Sequence, residues 1–333
     1  MICTNQLTKY ASILFIISVL ILSVFQCNHQ PNTANRKNTP KTAKMIIINS
    51  HETAVTVASK LYENDVIQNP KTFLFWARIF GYDRKIKSGR YHFVNNSNVF
   101  DILKTLNRGG EGKALVTIPE GYKIKEIAKL LASEGICSEK EFLKACKNVT
   151  LLHSLNIDYP IGEGYLFPDS YDFVIPSEPK DIIERMVKRF WQVFNDIQSS
   201  KAKSKKQIDT ILVIASLVEK EAKLDNERPI IASVFYNRLK YNMPLQSCAT
   251  VEYILPIHKE QLSVEDTKIQ SPYNTYLHRG LPPTPICNPG RASLVAAMNP
   301  AQTKYLYFAV ENNQSHYFSK NFTEHQNFLR RKK

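Results

Sequence analysis

Apolar residues recur at spacings of three and four along much of the chain. Val55, Ala58, Leu61 and Tyr62 predict a helix within 52–64, and Phe73, Phe75, Trp76 and Ile79 predict another over 70–81. The same pattern predicts helices over 98–107, 123–133, 138–147, 179–198, 207–223 and 227–240. β-rich runs at 45–48, 90–94 and 116–118 read as strands, and 305–310 with 316–318 as a strand pair. The order strand–helix–helix occurs twice before residue 150, as in a diverged internal repeat or two ordinary α+β segments. The pattern predicts an α+β fold: small mixed units first, then a mainly helical domain with a small β component.

One run does not alternate at all. Residues 11–25 carry no charge, and their flanks extend them to about 17–18 residues, near the lower limit for a membrane span. Residues 23–27 offer no small-residue cleavage site, and Phe25 and Gln26 suit a lipid-modified Cys27 poorly. The expectation is a single-span anchor over 1–27, followed by a polar linker over 28–44. Only Lys9 precedes the span, whereas Arg36, Lys37, Lys41 and Lys44 follow it, which counts against an external carboxy-terminal side. That rule weakens when a large domain follows a short leader.

Composition narrows the partners. The 333 residues carry 44 Lys+Arg against 30 Asp+Glu, a formal charge of +14 that favours an anionic partner. No nucleic-acid motif accompanies the charge. The six cysteines form no zinc-spaced cluster, so no metal and no cofactor are expected. Cys137 and Cys146 are close enough in sequence to pair in an oxidising compartment; unpaired buried thiols are the simpler alternative.

The helix over 207–223 is almost wholly apolar, and Glu219 falls where its pattern calls for an apolar residue, on one face with Leu212, Ala215 and Ser216. A carboxyl in an apolar setting is harder to ionise and can deliver a proton to a leaving oxygen near neutral pH. The competing reading is a surface ion pair with Lys223 at i+4. Glu221, roughly opposite, reads as solvated. Asn237 is a polar residue within the otherwise apolar helix 227–240, and Gln246, Tyr273, Asn274 and Tyr276 lie on or near Pro/Gly-rich turns, where aromatic faces and amides suit a sugar groove.

Several segments together resemble one family. GEGYLFPDSY at 162–171, ASLVEKEA at 215–222, ERPIIASVFYNRL at 227–239, MPLQS at 243–247, SPYNTY at 271–276, GLPPTPICNPG at 280–290 and AAMNPAQTKYLYFAV at 296–310 are similar to the endolytic murein transglycosylases of the MltG (YceG-like) family. The resemblance covers most of 160–320 and, more loosely, a LysM-like module over 45–112. It implies a second small α+β segment over 113–160 and a lysozyme-like catalytic domain over 161–333. It also implies a lyase that cleaves the MurNAc–GlcNAc bond of peptidoglycan with 1,6-anhydro-MurNAc formation. Glu219 is then expected as general acid and base, with Glu163, Tyr165, Asn237, Gln246, Tyr273, Asn274 and Tyr276 binding substrate. The implied partners are glycan strands, the cytoplasmic membrane through the amino-terminal helix, and cell-wall synthases, with no nucleic acid. The implied location is the cytoplasmic membrane, single-pass, with the catalytic domain outside. One position departs: Cys248 stands where the family often has an acidic residue.

Two alternatives stay open at this point. A hydrolytic muramidase on the same fold would need a second carboxylate, with Glu163, Asp169 or Glu227 as candidates. A non-enzymatic wall-binding anchor would need no catalytic carboxylate.

Overall fold

The computed structural model describes residues 43–49, 52–198, 204–257, 259, 262–312 and 315–332. The apolar run 11–25 and the anchor expected there lie outside the described residues, as does nearly all of the linker.

The first unit runs β1 (Ala43–Ile48), α1 (Ala54–Glu63), α2 (Pro70–Ile79), β2 (Gly89–Val94) and α3 (Val99–Arg108), with β1 paired to β2. Its helix starts are locally encoded. The Thr53 hydroxyl accepts from the Thr56 N–H, and Asn69 accepts from Lys71 and Thr72 just before Pro70. Ile46, Ile48, Val57, Leu61, Phe73 and Leu106 belong to a separate hydrophobic core.

The second unit repeats the order with one extra helix: β3 (Lys113–Thr117), α4 (Ile124–Ser133), α5 (Glu139–Ala145), α6 (Val149–Ser154), β4 (Ser170–Val174) and α7 (Pro179–Ile197). β3 and β4 pair antiparallel, with Val116 opposite Tyr171 and Ala114 opposite Phe173. The β4 segment, for which no strand was expected, alternates, with Tyr171 and Phe173 buried between exposed Ser170, Asp172 and Val174. No boundary near 160 separates two cores: one hydrophobic cluster extends from Val116 to Ala297.

The remaining elements are α8 (Lys205–Glu221), α9 (Arg228–Lys240), α10 (Cys248–Ile254), α11 (Arg291–Met298), the antiparallel pair β5 (Tyr307–Val310) and β6 (His316–Ser319), and α12 (Phe322–Lys332). Ser204 and Gln207 form a capping box at the start of α8. Every residue from Ile211 to Val218 is buried, and α9 and α11 pack against the helix. Burying each large side chain there contributes about 1.5–3 kcal/mol. The helix ends at Glu221, two residues short of the expected limit, because Ala222 turns to extended backbone. Cys137 and Cys146 carry free thiols, and burial pushes the Cys137 thiol up to about 12.

Candidate active site

α8 ends in two acidic residues that point to different surroundings. Glu219 keeps only 7% of its side chain exposed. One oxygen accepts from the Gly290 N–H at 3.0 Å, and the other lies 3.6 Å from the Arg228 guanidinium. Arg228 is the basic side chain recorded beside it. Its niche is therefore polar rather than the dry apolar setting expected. Glu120, on the turn before α4, reaches the same place: a Cβ on Gly290 would collide with its carboxyl group. Burial, then the nearby Glu219, raises the Glu120 carboxyl, while Arg228 opposes this.

Of the two acidic residues that end α8, Glu221 lines a cavity. The space measures about 360 Å³ and also borders Arg238, Gln246, Cys248, Tyr276 and His316. The Ser247 hydroxyl donates to Glu221 Oε1 at 2.5 Å. Burial pushes the Glu221 carboxyl above its ordinary range, and the Ser247 bond opposes that shift. The expectation of a solvated Glu221 is thus corrected. Periodicity could not separate the two glutamates, because α8 is apolar all round: Leu217 and Val218 stand one turn before Glu221.

The cavity wall is built by long-range ties. Arg238 Nε donates to Leu306 O at 2.6 Å, and its Nη1 donates to Leu245 O at 2.8 Å. Gln246 adopts a φ of 49°, the left-handed region that costs a non-glycine residue about 1 kcal/mol or more. It is held there by its own N–H on Thr275 O and by the Ser247 N–H on Thr275 Oγ1. Tyr276 lies against Cys248, hydroxyl to thiol at 3.1 Å. His316, missed by the sequence reading, binds Glu227 through Nδ1 at 2.7 Å and through its backbone N–H at 2.9 Å.

The structure brings Gln246 and Tyr276 together with Glu221 but not the other expected residues. Asn237 spends its amide on Thr303 O and Tyr305 O. Asn274 is fully buried and spends its amide on Thr267 O and Ile269 O. Both tie backbone segments together. Tyr165 is a core residue, edge-on to Phe190, with its hydroxyl on Asp209.

Glu163 is 2% exposed and joins three segments. It accepts from the Ile124 N–H at the start of α4, from Asn288 Nδ2 at 2.9 Å, and from the Tyr253 hydroxyl at 3.4 Å. Burial pushes its carboxyl up to about 8. Asn288, also missed from sequence, completes the junction: its side-chain oxygen accepts from Gly164 and Leu166 N–H, both at 2.9 Å. Gly164 has a φ of 91°, and a Cβ there would lie 2.5 Å from the Pro285 ring. Glu163, with Tyr253 and Tyr273, borders a second cavity of about 490 Å³. Asp169 pairs with Arg189 at 2.7 Å. Among the described residues, no group of three or more His, Cys, Asp or Glu could hold a metal ion.

Comparison with known proteins agrees over the described region. The model of the YceG-like family matches residues 46–331. The endolytic murein transglycosylase of Bacillus subtilis is 36% identical over 86% of this chain and 83% of its own length. The protein of that name from Streptococcus pneumoniae strain D39 is 30% identical over 81% of this chain and 54% of its own length. A crystal structure of a YceG-like protein from Listeria monocytogenes superposes with a TM-score of 0.57 at 32% identity, covering 86% of this chain and 99% of that one.

Proposed function

Because this chain belongs to the YceG-like family, we propose that it is a peptidoglycan endotransglycosylase, a lyase that cuts MurNAc–GlcNAc bonds inside glycan strands. Relatives named for that activity support the reaction class. The observation that carries the site is the position of Glu221 on a cavity shared with Gln246 and Tyr276.

In this reading the Glu221 carboxyl, whose hold on its proton burial strengthens, gives that proton to the glycosidic oxygen as the C1–O bond breaks. The carboxylate then takes the proton of the same sugar's 6-hydroxyl, whose oxygen closes on C1 to form the 1,6-anhydro ring. No water is consumed, and the nucleophile is already tethered to the reacting carbon. The Ser247 hydroxyl holds one carboxyl oxygen and fixes the orientation of the other. Glu219, engaged by Gly290 and Arg228, is the competing carboxylate and acts here as a support for the neighbouring loop.

The lytic route also fits the partners of the other acids. A hydrolase needs a second carboxylate to activate water. Glu163 is tied to Ile124 and Asn288, Asp169 to Arg189, and Glu227 to His316. The assay is digestion of purified peptidoglycan with product masses read directly. Anhydro ends are one water lighter than the reducing ends of a hydrolase, so reducing ends alone would overturn the reading. Glu219→Gln and Glu221→Gln, side by side, decide between the two glutamates.

The unit from 45 to 112 has its own core and a strand–helix–helix–strand order, which supports a LysM-like wall-binding module. The uncharged run 11–25 supports a single-span anchor in the cytoplasmic membrane, with the enzyme outside and close to cell-wall synthases.

A further inference from the structure

The cavity beside Glu163 has a lining unlike the Glu221 cavity. Three lysines, Lys123, Lys125 and Lys147, border it, with Glu163 as the acid at its floor. The Tyr253 and Tyr273 rings meet there at 5.0 Å, and the Lys123 ammonium stands 5.5 Å over the Tyr253 ring. Lys125 and Lys147 are exposed, and neither forms an ion pair among the described residues. Lys123 donates to the Glu252 carbonyl at 3.2 Å.

The two cavities are joined by one short element. Cys248 opens α10 on the Glu221 side, and Tyr253 and Ile254 close it on the lysine side. At 1.5 Å per residue the helix separates them by roughly 9 Å. An extended peptide spans that distance with about three residues.

We propose that the lysine-lined cavity binds a carboxylate of the short acidic peptide that hangs from the glycan strand. The inference rests on the peptidoglycan reading of the Glu221 site. The chemistry of the lining supports a carboxylate over a neutral sugar. The free ammonium groups supply charge, and the tyrosine pair supplies a surface for the aliphatic part of a peptide. Glu163 adds little opposing charge, because burial keeps its carboxyl mostly neutral below about pH 8. The cavity thereby selects strands that still carry their peptides.

Two measurements test this independently. The first is equilibrium binding of an isolated stem tripeptide to the full chain, with an amidated tripeptide as the control. The wild type and Glu221→Gln are expected to bind the free acid at least tenfold tighter than the amide. The double variant Lys125→Gln/Lys147→Gln is expected to lose that difference, and salt to weaken it in the wild type. Equal binding by wild type and double variant would overturn the proposal whatever the catalytic residue is. The second is the ratio of kcat/KM on peptide-bearing strands to that on strands stripped of peptide, which keep only the lactyl carboxylate. The ratio should fall at least tenfold in the double variant. An unchanged ratio overturns the peptide assignment, and tight binding of stripped strands alone would transfer the site to the lactyl group. Loss of cleavage in Glu221→Gln with tripeptide binding intact separates this subsite from the catalytic reading.

Discussion

Asn288→Ala is the sharpest test of how the site is held. The side chain is fully buried and makes four bonds. It accepts from the Gly164 and Leu166 N–H groups, and donates to Tyr122 O and Glu163 Oε1, all at 2.9 Å. Alanine strands two backbone N–H groups and thins the bonding of a carbonyl and a carboxyl. Each stranded buried group costs about 1–3 kcal/mol. Tyr122 O keeps the Asn288 backbone N–H, and Glu163 keeps Ile124 and Tyr253, so the two N–H groups dominate. The expected loss is about 2–6 kcal/mol. For a domain of this size that lowers Tm by roughly 4–24 °C. Thermal unfolding followed by circular dichroism, with Asn288→Asp beside it to keep the acceptor oxygen, reads the effect. A shift below about 2 °C for the alanine variant would mean that water replaces the side chain at no cost, and the junction would not be what positions the site.

The other expectations are simpler to read. Glu221→Gln should lower the cleavage rate about 10²–10⁴-fold, or roughly 3–5 kcal/mol at the transition state, while keeping the bond from Ser247. A rate within threefold of wild type would remove Glu221 from the mechanism. The same variant should be more heat-resistant at alkaline pH. The raised carboxyl favours the folded state below its unfolded value, and that contribution is lost as pH rises through the folded value, so only the wild type weakens. A constant Tm difference between pH 5 and 9 would contradict this. Gly164→Ala should cost about 3 kcal/mol or more, since it combines positive φ with contact on the rigid Pro285 ring, and soluble yield with urea unfolding would show it. Arg238→Lys should loosen the wall of the Glu221 cavity by losing the paired carbonyl bonds to Leu306 and Leu245, which raises KM more than it lowers kcat.

The long helices were legible from sequence because each carries enough apolar residues at helical spacing to fill more than two turns. The segments at 54–63, 70–79, 179–197 and 228–240 follow the apolar spacing closely. The elements missed were short ones: α6, α10, α11 and the strand β4, each of five to eight residues. α12 was missed for a different reason, since it has no fully buried residue to set a pattern. The region of the Glu221 cavity shows the same limit. Gln246 and Tyr276 were readable as polar groups on rigid turns, and they meet in one cavity. The reading placed the acid at Glu219; that Glu221 lines a cavity was not readable, because a helix buried on all sides offers no polar face to exclude. Asn237, Asn274 and Tyr165 look identical to sugar ligands in sequence. Only their bonds show that backbone carbonyls, or the Asp209 carboxylate, have taken them.

The cavity around Glu221 borrows one wall from β5 and β6, about ninety positions further along the chain. A polypeptide synthesised only through α8 and α9 has Glu221 but lacks the β5 and β6 wall of its cavity. Leu306, Tyr307 and His316 must arrive before Arg238 and Glu227 find their mates. On the proposed reading of Glu221, the capacity to cut waits for the segments made last.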